Sequence, residues 1–88
     1  MMQAAAKWME QARYDLDTAR AMLASERYLY VLFCCQQAVE KAMKAIILLR
    51  TGQFPPRLHN LLRLAEVADL SMEGERQDFL GELSAYYI

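Results

Sequence analysis

The chain has 88 residues, enough for one domain, and folding at this size buries only about 60–65% of the surface of the unfolded chain. Hydrophobic residues make up 56% of the sequence, which is high for a small soluble domain and predicts apolar surface for a partner. The net charge of −1 argues neither for nor against nucleic-acid binding. The longest strongly apolar run, residues 45–49, is far too short to span a membrane.

Two long helices are predicted in the first half of the chain. The first covers residues 3–24, where an apolar stripe recurs at three- and four-residue steps: Trp8, Ala12, Leu16, Ala19 and Leu23. Ser25 is the expected N-cap of the second helix, over residues 26–50. Its apolar residues step by three and four, like the seam of a helical bundle: Leu32, Cys35, Val39, Ala42, Ile46 and Leu49.

The second half of the chain predicts two shorter helices. Gly52 is a typical helix stop, and the prolines that follow it prevent a restart before residue 57. A third helix is expected over residues 58–69 and a fourth over 72–87, with Ser71 as its N-cap. No segment alternates as a strand does. The sequence therefore predicts an all-α, antiparallel up-and-down four-helix bundle, with one domain over residues 1–88.

The cysteine and histidine content points away from a metal or disulfide scaffold. Cys34 and Cys35 are adjacent, and neighbouring helix positions diverge by about 100°, so a disulfide between them would be strained. Free thiols and the lack of a signal peptide predict a cytoplasmic protein. His59 is the only histidine, and this set has no zinc-site spacing. No metal and no cofactor are expected.

A polar stripe interrupts the second predicted helix. Gln37, Lys41 and Lys44 are spaced i, i+4, i+7 and share one face, which must meet water, a partner subunit or a polar ligand. In one interpretation the two lysines hold phosphate oxygens and Gln37 contacts a base or ribose. In the other, Glu40 pairs with Lys44, and Lys41 is a solvated or subunit-facing charge.

Three stretches of the sequence carry a family resemblance. Residues 28–44, YLYVLFCCQQAVEKAMK, resemble the core signature of the HEPN family, named for higher eukaryotic and prokaryotic nucleotide-binding domains. The connection after the second helix is similar to the family's G…P…H-x-L pattern. Residues that match the first helix and this connection are Trp8, Ala12, Asp15, Leu16 and Ala19, then Gly52, Pro56, His59, Leu61 and Leu62.

The resemblance also raises the question of ribonuclease activity, because ribonucleases of the family carry an Arg, four to six residues, and a His. No arginine occupies residues 52–54, where it would have to precede His59. Members of the family usually continue past a segment like Tyr86–Ile88 into a final helix, which this sequence does not show. The resemblance therefore implies a non-catalytic chain, and the alternative is a ribonuclease toxin whose motif lies beyond residue 88.

The resulting functional hypothesis is a module of the prokaryotic stand-alone HEPN type. The resemblance implies pairing with a minimal nucleotidyltransferase in a toxin–antitoxin-like system, and the apolar composition favours a homodimer. A nucleotide-binding domain acting alone is a further alternative. His59 lies where a helix N-terminus would attract a phosphate, and the favoured alternative is a structural histidine that caps the helix or bonds a neighbouring carbonyl. The candidate nucleotide-binding residues are Lys41, Lys44, Arg57, His59 and Gln37.

Overall fold

A computed structural model describes residues 2–87 and contains four helices in this range. They are α1 (Met2–Ala24), α2 (Tyr28–Thr51), α3 (Leu61–Val67) and α4 (Gly74–Ser84). No strand occurs in this range, which confirms the predicted all-α class. None of these helices combines the length and hydropathy needed to cross a bilayer.

The tight connection between α1 and α2 corrects the predicted start of the second helix. The Ser25 amide donates to the Ala21 carbonyl, so Ser25 still belongs to the last turn of α1 and is not an N-cap. Glu26 has a positive φ of 59°, which ends α1. The Arg27 amide then bonds to the Met22 carbonyl, and α2 begins at the next residue without a side-chain cap.

The C-terminal end of α2 follows the prediction, whereas α3 and α4 are shorter than expected. Gly52 adopts the left-handed conformation, with φ of 69°, and its amide caps the Leu48 carbonyl. Helix α3 starts at residue 61 because Asn60 is the N-cap. Ser71 does not cap α4, which starts two residues later than predicted and stops at residue 84.

The core lies where α2, α3 and α4 meet. Its buried members are Met43, Ile47, Leu61, Leu64, Ala65, Ala68, Leu80 and Leu83. Helix α1 packs on α2 through alanines at seven-residue intervals, since small side chains allow the two backbones to approach closely. These contact residues are Ala5, Ala12 and Ala19.

The predicted apolar seam of α2 is only partly covered. Cys35, Val39, Ala42 and Ile46 are half-buried, and Leu49 is exposed. In the α1 stripe, Ala12 and Ala19 are buried, but Leu16 and Leu23 are exposed. The seam does pack against the core through Cys35, Val39 and Ile46, but part of it stays open to solvent.

Gly52 and Gly81 give a matched test of this backbone geometry. We expect Gly52→Ala to lower the free energy of unfolding by about 1 kcal/mol, because a Cβ is disfavoured at positive φ. Gly81→Ala should instead raise it by about 0.5–1 kcal/mol, because Gly81 is helical and an added Cβ would meet only Leu62 Cδ1 at 3.7 Å. Urea denaturation measures the free energy of unfolding of both variants. Equal effects of the two changes would contradict the left-handed conformation of Gly52 and the helical conformation of Gly81.

Candidate functional site

A buried carboxylate organises the polar stripe of α2. The Glu40 side chain is only 5% exposed and accepts hydrogen bonds from three donors. Gln36 Nε2 and His59 Nδ1 lie 3.1 Å and 3.0 Å from Oε1, and Lys44 Nζ lies 3.1 Å from Oε2. Gln36 and Lys44 reach it because residues four apart share a helix face. We call these four residues the Glu40 cluster.

His59 connects this cluster to the C-terminal part of the chain. Gln36 Nε2 also donates to the His59 carbonyl at 3.2 Å, and Ser84 Oγ lies 3.4 Å from the same oxygen. The Tyr87 ring packs on the imidazole with a centroid separation of 3.6 Å and a tilt of 54°. The position of His59 is therefore fixed by α2 and by the end of α4 together.

The electrostatics of the cluster keep Glu40 ionised. Burial by itself would raise the pKa of Glu40, but the hydrogen bonds from Gln36, His59 and Lys44 outweigh that effect and lower the pKa below its ordinary value. The Lys44 side chain is only 9% exposed, and its Nζ lies 5.5 Å from the centre of the Trp8 ring, within cation–π range. The buried charges of Lys44 and Glu40 thus compensate each other.

The structure divides the five predicted nucleotide-binding residues among three places. Lys44 and His59 contact Glu40, and Gln37 lies beside them, where its Nε2 donates to Gln36 Oε1. Lys41 instead pairs with Asp15 of α1 at 2.7 Å. Arg57 is exposed on the α2–α3 connection. The nucleotide-binding role of these residues stays a prediction.

The polar stripe was expected to meet water, a partner or a ligand, and for Lys44 this was wrong. The chain satisfies the stripe internally: the predicted pair of Glu40 and Lys44 is confirmed, whereas Lys41, predicted to be solvated or subunit-facing, pairs with Asp15 instead. Gln36 was expected only to hydrogen-bond across a helix interface together with Gln37, and it was not among the predicted site residues, although it is fully buried and donates to two acceptors. Its spacing of four residues from Glu40 was the available signal.

The start of α3 offers few free donors to a phosphate. Asn60 Oδ1 accepts from the amides of Leu62 and Arg63, and Ser84 Oγ accepts from the amide of Leu61. These are the backbone groups that a bound anion would use at a helix N-terminus. Here the protein's own side chains occupy them.

An apolar groove lies on another side of α2, and we call it the α1/α2/α4 groove. Its volume is about 400 Å³, and its lining is almost entirely apolar. The half-covered seam of α2 forms its floor, α1 supplies one wall and α4 the other. The lining residues are Met9, Ala12, Arg13, Leu16, Cys35, Ala38, Val39, Ala42, Phe79 and Leu83.

The Cys34 thiol is not activated. Cys34 and Cys35 are both free and half-buried. Burial raises the pKa of Cys34, with the negative charge of Asp15 as the next cause, so the thiol stays protonated at neutral pH. Within residues 2–87, no group of three or more His, Cys, Asp or Glu side chains could hold a metal ion.

The ionised state of Glu40 makes stability depend on pH in the acid range. Because the folded-state pKa of Glu40 is lower than its ordinary value of about 4.5, which holds in the unfolded chain, the stabilisation is complete above that value. It is lost as the pH falls through the folded-state pKa. We expect urea denaturation to show that the free energy of unfolding falls as the pH is lowered through this range. In Glu40→Gln this pH dependence should be smaller.

The same variant tests the burial of Lys44. At pH 7, Glu40→Gln should cost about 3–5 kcal/mol, up to complete unfolding, because it leaves a buried ammonium without its counter-charge. Glu10→Gln on the exposed face of α1 is the matched control and should change stability by less than about 0.5 kcal/mol. A Glu40→Gln protein as stable as the wild type at pH 7 would refute this role.

Comparison with known proteins supports the resemblance seen in the sequence. The HEPN domain family matches residues 5–88, nearly the whole chain. No curated protein and no solved structure gives a significant match. The match agrees with the all-helical architecture. The chain belongs to the HEPN domain family.

Proposed function

We propose that this protein is a non-catalytic HEPN module that assembles through the α1/α2/α4 groove, and that the occupant of the groove is a second copy of the chain. The observation that carries the proposal is the groove itself, an apolar surface open to solvent between three helices. Such surfaces on small domains mark interaction sites.

The shape of the groove suits side chains from another helix. Its floor contains Ala38 and Ala42, whose small side chains leave space, and its walls carry larger residues. Phe79 on the α4 wall is 58% exposed and Leu16 on the α1 wall is 41% exposed. Filling the space between them would remove apolar area from water at about 25 cal/mol per Å².

A second copy of the chain is a suitable occupant, because the chain itself carries exposed apolar side chains that fit such a groove. A twofold dimer places the same patch on both sides of the interface, so the exposed Phe79 of each copy can enter the groove of the other. Further exposed apolar residues lie near the α1–α2 connection: Leu23, Tyr28, Leu29, Tyr30 and Leu32. A domain of 88 residues buries a smaller fraction of its surface than a larger one, so burial at an interface adds to a modest stability.

The family resemblance supplies a second occupant, a minimal nucleotidyltransferase in a toxin–antitoxin-like pair. That partner would compete with the second copy for the same apolar surface. Co-expression with such a protein, followed by size-exclusion chromatography, distinguishes a heteromer from a homodimer. The ribonuclease alternative rests on a motif beyond residue 88 and uses no residue of the groove.

Nucleotide binding is a subsidiary proposal, supported by exposed Arg57 and half-exposed His59 on the same connection. We expect isothermal titration with ATP to show binding that Arg57→Ala weakens. Lys41→Ala should leave it unchanged, because that ammonium pairs with Asp15. An absence of binding in the wild type would remove the site, and equal losses in the two variants would place it elsewhere.

Dimer formation gives the principal test. We expect sedimentation equilibrium to show a dimer whose dissociation constant rises by about tenfold or more in Phe79→Asp, because a charge would enter the apolar interface. Tyr14→Asp is the matched control, since Tyr14 is 74% exposed on α1 but does not line the groove.

Two outcomes would count against the proposed interface. A wild-type monomer at high micromolar concentration would exclude the homodimer and leave the heteromer to be tested. A dimer that both aspartate variants weaken equally would place the interface outside the groove. Circular dichroism of each variant checks that its helices remain folded.

A further inference from the structure

The contact between Glu40 and His59 fixes which imidazole nitrogen carries a proton. The Glu40 carboxylate is ionised and can only accept a hydrogen bond, so Nδ1, 3.0 Å away, must be the donor. In the neutral ring the lone pair then lies on Nε2. The other donors keep the carboxylate in place, since Lys44 holds Oε2 and Gln36 shares Oε1.

The imidazole is partly open to solvent, although the partner of its Nδ1 is buried. The His59 side chain is 47% exposed, whereas Glu40 on its Nδ1 side is 5% exposed. No hydrogen bond within residues 2–87 involves Nε2. Packing against Tyr87 nevertheless holds the ring in one orientation. The backbone carbonyl of His59 also accepts a hydrogen bond from Gln36. An oriented imidazole whose Nδ1–H is held by a buried carboxylate is the arrangement that activates the ring as a base or nucleophile.

We propose that Nε2 of His59 is an acceptor site for a phosphoryl group from a small acyl phosphate or phosphoramidate donor. The Nε2 lone pair forms a bond to phosphorus, and the bond from phosphorus to the leaving group breaks. The leaving carboxylate or amine takes the electron pair. The Nδ1 proton stays on the ring, so the ring becomes cationic during the transfer.

Glu40 is the positioning residue for this step. Its negative charge faces the Nδ1–H edge and stabilises the positive charge that develops as Nε2 bonds to phosphorus. The inference uses the Glu40 cluster alone and does not depend on assembly through the groove.

The test uses the intact protein with potassium phosphoramidate and with acetyl phosphate. Because His59 is the only histidine, a mass gain of one acid-labile phosphoryl group reports on this residue. Phosphorus NMR distinguishes the Nε2 product from the Nδ1 product. We expect only the Nε2 product, formed about tenfold faster than in the same chain unfolded in concentrated urea, because the unfolded chain lacks the orienting carboxylate.

The variants separate an activated nitrogen from a merely structural histidine. Glu40→Gln should lose the rate advantage and yield both products, while Glu66→Gln, an exposed carboxylate of α3, should behave as the wild type. His59→Asn should not react. Folded wild type that reacts no faster than the unfolded chain, or that forms the Nδ1 product, would overturn the proposal even if Glu40→Gln fails to fold.

Discussion

The buried carboxylate of Glu40 is the constraint on which the arrangement of the C-terminal half depends. Removing a carboxylate from water costs several kcal/mol unless donors replace its hydration. Two of its donors, Gln36 and Lys44, belong to α2 and are present whenever that helix forms. The third, His59, arrives only when the α2–α3 connection folds back. The electrostatic requirement of one residue in α2 thus selects the path of the chain that follows it.

That path also explains how a seven-residue helix is stable in this fold. Helix α3 is too short to persist alone, since isolated helices need about 12–15 residues. Its start is held by Asn60 and Ser84, next to His59. Its end is held by Arg50 of α2, whose guanidinium donates to the carbonyls of Ala68 and Asp69. Between these ties the buried leucines of α3 enter the core.

In α2, a polar stripe is buried and part of an apolar stripe is exposed, which is the reverse of what their composition suggests. The polar positions 36, 40 and 44 are buried because they satisfy one another and His59. The apolar seam remains half-open because α1 and α4 form only the two walls beside it. An internally satisfied polar cluster has no need of a ligand, whereas an open apolar groove gains free energy when a partner covers it. This contrast supports assembly rather than ligand binding as the main function.

Local patterns in the sequence determined the helical class, the long α1–α2 hairpin and the stop at Gly52, because periodicity and backbone conformation act within a few residues. They also brought Glu40 and Lys44 together, since both lie on one helix face. Tertiary structure alone decided that Lys41 turns to Asp15 and that His59 reaches Glu40, 19 residues earlier in the chain. It also decided which apolar face stays open. Such contacts depend on how separate helices dock, and that docking balances burial against desolvation over the whole molecule rather than within any one segment.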